Sequence, residues 1–265
     1  MEDDKHKILN HYTHPVDKET ASKVYDKANK VFEQQKLEIT DFLDPHQVDI
    51  AERIINSFAD ISAVFHGGFD SSERKKVGIF PKVWNITEKD LGIEVLEIQV
   101  RFEFEKVSHR DVLGAVLGLG LKREKIGDIQ LFMENNKVFL AVDREISQFI
   151  CDNLVQIKNT SVSIYVADDE LKLPKEEFTK EITGTVSSLR LDAVSSIGFG
   201  ASRSKMNQLI KAERVKINWK PTSDPKTTVN TCDVISLRGK GRVEVAEVGG
   251  KSRKGRRHVR LRRYK

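Results

Sequence analysis

Cysteine is nearly absent. The 265-residue chain holds only Cys151 and Cys232, far apart and in no C-x-x-C pair. That excludes a disulfide framework and a cysteine zinc knuckle, and both residues are expected to be core fillers. Long apolar runs are missing too. The longest, Val112 to Leu121, is about half of what a bilayer span needs, so no membrane insertion is expected. The amino end, MEDDKHKILNHYTHP, lacks the apolar stretch of a signal peptide, and the expectation is a soluble, cytoplasmic protein. Seven histidines form no H-E-x-x-H, and His11 and His14 lack partners at ligand spacing. GLGLKR and GFGASR are too short of glycine for a dinucleotide or Walker loop. Neither metal nor cofactor is expected.

Charge, by contrast, is plentiful and unevenly placed. From Ile182 to Lys265 there are 20 Lys and Arg against 6 Asp and Glu, leaving 25 against 34 in the first 181 residues. The net charge of +5 therefore hides a +14 end behind a −9 body. A basic third on an acidic body points to a polyanion-binding end. The length exceeds one average domain, so two or three are expected.

The first stretch reads as two helices. Val24, Ala28, Val31 and Phe32 recur at helical spacing, and Asp44-Pro45-His46-Gln47 supplies an N-cap, a first-turn proline and a capping-box partner for the next helix. ISAVFHGGF and KKVGIFP then read as strands, closing an α+β domain over 1–80 whose chemistry is obscure. The segment 81–180 has a clearer order. IEVLEIQVRFEF is an alternating strand, Ser108 and Asp111 cap a helix through Leu121, and IGDIQLFM and KVFLAV are strands around the turn Glu134-Asn135-Asn136. REISQFICDNLVQI is a helix and SVSIYV a strand. This βαββαβ order is ferredoxin-like and shared with RNA-recognition motifs. KVFLAVDR does not carry the stacked aromatics of such motifs, so Phe139 is expected in the core.

RLDAVSSIGFGASRSKMNQLI, residues 190–210, reads as a helical hairpin. Leu191, Val194 and Ile197 form one apolar stripe and Met206, Leu209 and Ile210 the next; Gly198 and Gly200 allow the turn, and Ser202 is an N-cap. RVKINWK follows as a strand with Val215, Ile217 and Trp219 on one face, and CDVISLRGKGRVEV adds more strand. Over 181–250 this makes a third small α+β domain. The tail 251–265, KSRKGRRHVRLRRYK, has nine Lys and Arg and no acid, and is expected to be disordered until it meets a polyanion.

VLEIQVRFEFEKVSHRDVLGAVLGLGLKREKIGDIQL, with HGGFDSSERKKVGIFP before it, resembles the bacterial YlmH family over nearly the whole chain. The hairpin and its strands resemble the S-four domain, named after the fourth protein of the small ribosomal subunit. The match runs through Arg190-Leu191-Asp192, Ser202-Arg203-Ser204, Leu209-Ile210, Val215 to Asn218, Asp233-Val234-Ile235 and Arg238 to Arg242. One departure is Ala212-Glu213, where a glycine usually precedes the strand. The resemblance implies an RNA-binding factor for rRNA and tRNA on large ribosomal subunits that still carry peptidyl-tRNA. It also implies ribosome-associated quality control alongside other quality-control factors, without catalysis.

A helix N-terminus offers backbone donors to phosphate, and Arg203 and Lys205 beside Ser202 add charge there. Arg190, Lys211, Arg214, Lys216, Arg238, Lys240 and Arg242 extend that surface, and Arg253, Arg256 and Arg257 of the tail complete the expected RNA-binding set. A monomer is expected. Two other readings stand beside this one. Arg190-Leu191-Asp192 also resembles the RLD of pseudouridine synthases, whose aspartate is the nucleophile, but no catalytic domain follows it here, and Asp192 is expected to be a helix-start residue. The third reading is a cell-division-linked adaptor.

Overall fold

The computed structural model describes residues 2–100, 107–132, 136–167, 180–253 and 255–264. They fall into two units, dividing between residues 175 and 176. The α+β class read from the pattern holds in both.

The first unit opens with three helices, one more than the pattern gave: α1 (Glu2–Leu9), α2 (Pro15–Gln34) and, beyond the short strand β1 (Glu38–Ile39), α3 (Pro45–Ile55). The Asp44–Gln47 capping box forms as read, with both reciprocal hydrogen bonds, at 2.9 and 3.0 Å. β2 (Ile61–His66) and β3 (Lys76–Pro81) pair antiparallel, giving a sheet in the order β1-β3-β2. Val24, Ala28, Val31, Ile54, Val77 and Ile79 are buried between the helices and this sheet.

A ferredoxin-like layer follows. Its elements are β4 (Ile93–Val100), α4 (His109–Gly118), β5 (Ile126–Phe132), β6 (Lys137–Asp143), α5 (Arg144–Asn153), β7 (Gln156–Ile157) and β8 (Thr160–Val166). The sheet order, β5-β6-β4-β8-β7, is that of a split βαβ fold with one added edge strand. Two helices end earlier than the sequence pattern suggests. α4 stops at Gly118, and Gly120, at φ +85°, turns the chain away; α5 stops at Asn153, so that Gln156 and Ile157 pair with β8 instead. Arg101 to Phe104 of the first strand, and Glu134 and Asn135 of the turn, lie outside the described residues.

Phe139 is buried, as expected, but against the other layer rather than the domain's own helices. It joins Phe42, Phe69 and Ala141 in a cluster on the sheet face opposite α4 and α5. The HGGF segment makes that docking possible. Gly68 sits at φ +92°, and a Cβ there would lie 3.0 Å from Ala141 and 3.2 Å from Ile93; a Cβ on Gly67 would meet the Arg74 carbonyl at 2.2 Å. Ion pairs and hydrogen bonds rim the apolar contact. Lys76 of β3 reaches Asp143 at 3.1 Å, and Arg74 donates to the Phe42 and Ile126 carbonyls at 2.6 and 3.1 Å. The face that serves RNA-recognition motifs as a base-stacking platform is thus largely taken up by packing within the chain.

The second unit is a six-stranded antiparallel sheet covered by two helices. Its elements are β9 (Lys180–Val186), α6 (Leu191–Phe199), α7 (Arg203–Lys211), β10 (Val215–Ile217), β11 (Lys220–Pro221), β12 (Val234–Leu237), β13 (Gly241–Lys251) and β14 (Arg257–Tyr264). The order is β11-β10-β12-β13-β14-β9. The tail therefore forms a strand over Arg257–Tyr264 instead of being disordered there. Residues 257–264 run between β13 and β9, and Val259 and Leu261 are buried at 2% and 0% exposure. The charge count concealed an apolar alternation, H-V-R-L-R, strong enough to make a strand.

Three further expectations need correction. Asn218 and Trp219, at φ +47° and +63°, form the tight turn between β10 and β11, so Trp219 does not extend the strand face. Gly198 lies inside α6 and not in its turn; a Cβ there would sit 2.8 Å from Val243, so its role is close approach of helix to sheet. Cys232 is exposed, whereas Cys151 is partly buried against the core of the ferredoxin-like layer.

Candidate nucleic-acid interface

The helical hairpin forms as its residues dictate. Leu191, Val194, Met206 and Ile210 are fully buried, Gly200 closes α6 at φ +61°, and the Ser202 hydroxyl accepts from the Lys205 amide at 3.2 Å to cap α7. Glu213, where the related pattern has glycine, takes the left-handed conformation at φ +54°. The turn keeps its shape at a modest conformational cost.

Asp192 is not merely a helix-start residue. At 1% exposure its carboxylate accepts from Arg190 at 3.2 and 3.0 Å, from Arg203 at 3.1 Å and from Asn207 at 3.1 Å, tying α6 to α7. Burial alone would raise its pKa, but the hydrogen bonds from Arg190, Arg203 and Asn207 outweigh it and hold the carboxyl below its ordinary value. The Leu191 and Asp192 amides at the start of α6 donate to the carbonyls of Thr227 and Pro225. The amino end of α6 is thus filled by the chain itself. Asp192→Asn keeps the shape but removes the charge that aligns two guanidiniums. We expect a loss of about 1.5–3 kcal/mol, seen as a lower denaturant midpoint, because hydrogen bonds to charged groups are the strong ones. A helix-start role would predict a change of about 1 kcal/mol or less.

The other candidate cations occupy distinct places. Lys205 is exposed on the first turn of α7 and Lys211 on its last, while Arg214 precedes β10. Lys216 and Arg242 lie on the outer face of the sheet, away from the helices, in register with Ser236 of β12 between them. Arg242 stacks 5.8 Å from the ring centre of Tyr264, whose hydroxyl donates to Glu244 at 2.7 Å. Burial first, then the Glu244 carboxylate, pushes the Tyr264 pKa up to about 12. Arg238 and Lys240 flank Gly239 in the β12–β13 turn, and Arg253, Arg256 and Arg257 belong to the β13–β14 hairpin. The expected set is therefore not a single patch. It divides among a hairpin already holding a counter-ion, a sheet face and two turns.

Among the described residues no cluster of His, Cys, Asp and Glu is suited to a metal ion. β9 and the Asp192 arrangement were missed in the sequence. The alternation of Ile182, Gly184 and Val186 is a signal for the former, but a buried ion cluster linking positions 190, 192, 203 and 207 leaves no local trace.

Residues 16–82 match the family model described as YlmH, N-terminal; residues 87–170 match the putative RNA-binding domain in YlmH, and residues 189–235 match the S4 domain. The chain is similar to the ribosome-associated protein quality control protein P2 of Bacillus subtilis (strain 168), at 38% identity over 237 residues, 89% of this chain and 90% of that protein. Among solved structures it is similar to the cell division protein ylmH from Streptococcus pneumoniae, at 26% identity and a TM-score of 0.50, over 59% of this chain and 95% of that one. With successive models matched from residue 16 to 235 and a relative alike over nine-tenths of its length, the chain belongs to the YlmH family.

Proposed function

We propose that the chain is an RNA-binding factor, not a catalyst, that engages rRNA and tRNA on large ribosomal subunits carrying peptidyl-tRNA and serves ribosome-associated quality control. One observation carries this reading: similarity over about nine-tenths of the chain to a relative named for that process. The +14 balance of the last 84 residues supplies the matching physics, since phosphate contacts dominate affinity for folded RNA. The burial of Asp192 under three side chains supports binding over catalysis, because a nucleophilic carboxylate must be open to its substrate. We assign it to the cytoplasm as a monomer; among the described residues no helix is long and apolar enough to cross a membrane. The name of the Streptococcus pneumoniae relative, a cell division protein, favours a second reading, a cell-division adaptor.

Gradient sedimentation of cell extract tests this. The protein is expected with free large subunits that also hold peptidyl-tRNA, and rising salt should release it. Confinement to the top of the gradient at low salt would count against the ribosomal reading and favour the adaptor.

A further inference from the structure

The carboxy-terminal unit sorts its cations into two kinds. Arg190 and Arg203 are tied to Asp192, Arg260 to Glu247 at 2.5 Å and Arg262 to Glu244 at 3.9 Å. Arg263 lies 5.9 Å from the ring centre of Phe199. Among the cations that bridge to no carboxylate of the described residues, two groups stand at opposite ends of β13. Lys211, Arg214, Arg238 and Lys240 gather at its start, where the Arg238 amide donates to the Arg214 carbonyl at 3.2 Å. Lys251, Arg253, Arg256 and Arg257 stand at its finish, in the hairpin to β14. All of them are exposed.

Both ends are held firmly. In the hairpin the Ser252 amide donates to the Arg256 carbonyl at 2.7 Å, the Gly255 amide to the Ser252 carbonyl at 2.8 Å, and the Arg256 guanidinium to the Thr185 carbonyl of β9 at 2.6 Å. At the other end the Arg263 guanidinium donates to the Lys240 carbonyl at 3.3 Å. β13 runs eleven residues from Gly241 to Lys251, but its pairing with β14 is irregular at two places, and the seven steps of β14 from Arg257 to Tyr264 cover the span from Lys251 to Arg242; at about 3.3 Å per residue the two groups stand roughly 25 Å apart. Between them the arginines of β14 already have partners within the sheet.

Resting on the RNA-binding reading above, we infer that this unit grips RNA at two points of fixed spacing, so that its partner is a stiff double-helical segment whose backbone passes both ends of β13. With arginine and lysine side chains reaching several ångströms past the backbone at each end, a separation of roughly 25 Å is of the order of one helical turn of a duplex. A duplex holds its phosphates at set distances and meets both groups without further ordering. A flexible single strand must lose conformational freedom to reach the second group.

The test uses the full-length chain and RNA stem-loops with stems shorter and longer than one turn, their affinities measured across a salt series. Stems longer than a turn are expected to bind at least ten-fold more tightly. Their plots of log affinity against log salt should also be steeper, by nearly one unit for each added phosphate contact. Two variants, R253Q/R257Q and R238Q/K240Q, should each remove this dependence on length while still binding short stems, with melting temperatures unchanged. Arg256 is left in place because it anchors the hairpin. Length-independent binding by the unmodified chain would overturn the two-point grip and leave RNA binding standing, as would variants that keep the full preference for long stems. Failure to bind any stem would remove the RNA-binding reading and this inference with it.

Discussion

A chain ending at Gly250 is expected to lose the cooperative melting of its carboxy-terminal unit. A tail that were only an electrostatic arm would leave that transition untouched. The strand removed lies inside the sheet: β14 pairs with β13 from Arg257 to Tyr264 and with β9 from Arg257 to Arg263. β9 stands at the end of the sheet order, with β14 as its neighbour, so truncation leaves it with no partner and exposes the edge of β13. Val259 and Leu261 leave the core, each worth about 1.5–3 kcal/mol of burial. Domains of this size are stable by only about 5–15 kcal/mol in total. Leu261→Ala alone should cost about 2–5 kcal/mol, since the leucine is fully buried in the core under α6. Calorimetry or far-ultraviolet circular dichroism against temperature decides the matter. A truncated chain that melts like the full-length one would mean that residues 257–264 add charge and nothing else. Loss of RNA binding on truncation would then reflect unfolding, which is why the two-point grip is tested by substitution.

How much was legible varies with how local the cause is. The capping boxes at Asp44 and Ser108, the βαββαβ order and the two apolar stripes of the hairpin follow from contiguous residues, and all appear in the structure. The tail misled because nine cations in fifteen residues dominate its composition, while the strand depends on two residues, Val259 and Leu261, and on distant partners in β9. Asp192 misled in the same way. Its position at a helix start is a local fact, and Arg190 is its near neighbour, whereas Arg203 and Asn207 reach it from α7. The HGGF segment had no visible chemistry because its work is steric, letting the chain approach Ile93 and Ala141 where a side chain could not fit. The cations named as RNA-binding candidates are separate residues in the sequence; their spread over a hairpin, a sheet face and two turns was not visible there, since β13 had to be seen as a single eleven-residue element.

Asp143→Ala should be the most damaging single change to a charged residue in the first unit. Its carboxylate caps α5 through the Glu145 amide at 3.2 Å, and its other oxygen is shared by Lys76 at 3.1 Å and Lys125 at 3.0 Å. The two lysines respond differently to its loss. Lys125 is about a third exposed and keeps Asp41 at 3.0 Å, so it remains paired. The Lys76 side chain is 6% exposed, with the Gly92 carbonyl at 3.4 Å as its other acceptor, so its ammonium would be left buried without a counter-ion. Such a group costs about 3–5 kcal/mol, and the lost cap adds about 1. Adding Lys76→Met to Asp143→Ala should recover much of that loss, because the uncompensated charge goes with the lysine. Burial pulls the Asp143 pKa upward, but hydrogen bonds from Lys125 and Lys76 prevail and hold it below its ordinary value. A lowered folded pKa means that the stabilisation is complete above the unfolded carboxylate pKa, near 4, and fades as pH falls through the lower folded value. Urea midpoints taken at neutral pH and again below pH 4 should therefore converge for the original chain and Asp143→Ala as the medium becomes acidic. A gap that stays constant with pH, or a double variant no more stable than Asp143→Ala, would show that the carboxylate's charge is not what joins β3 to the ferredoxin-like layer.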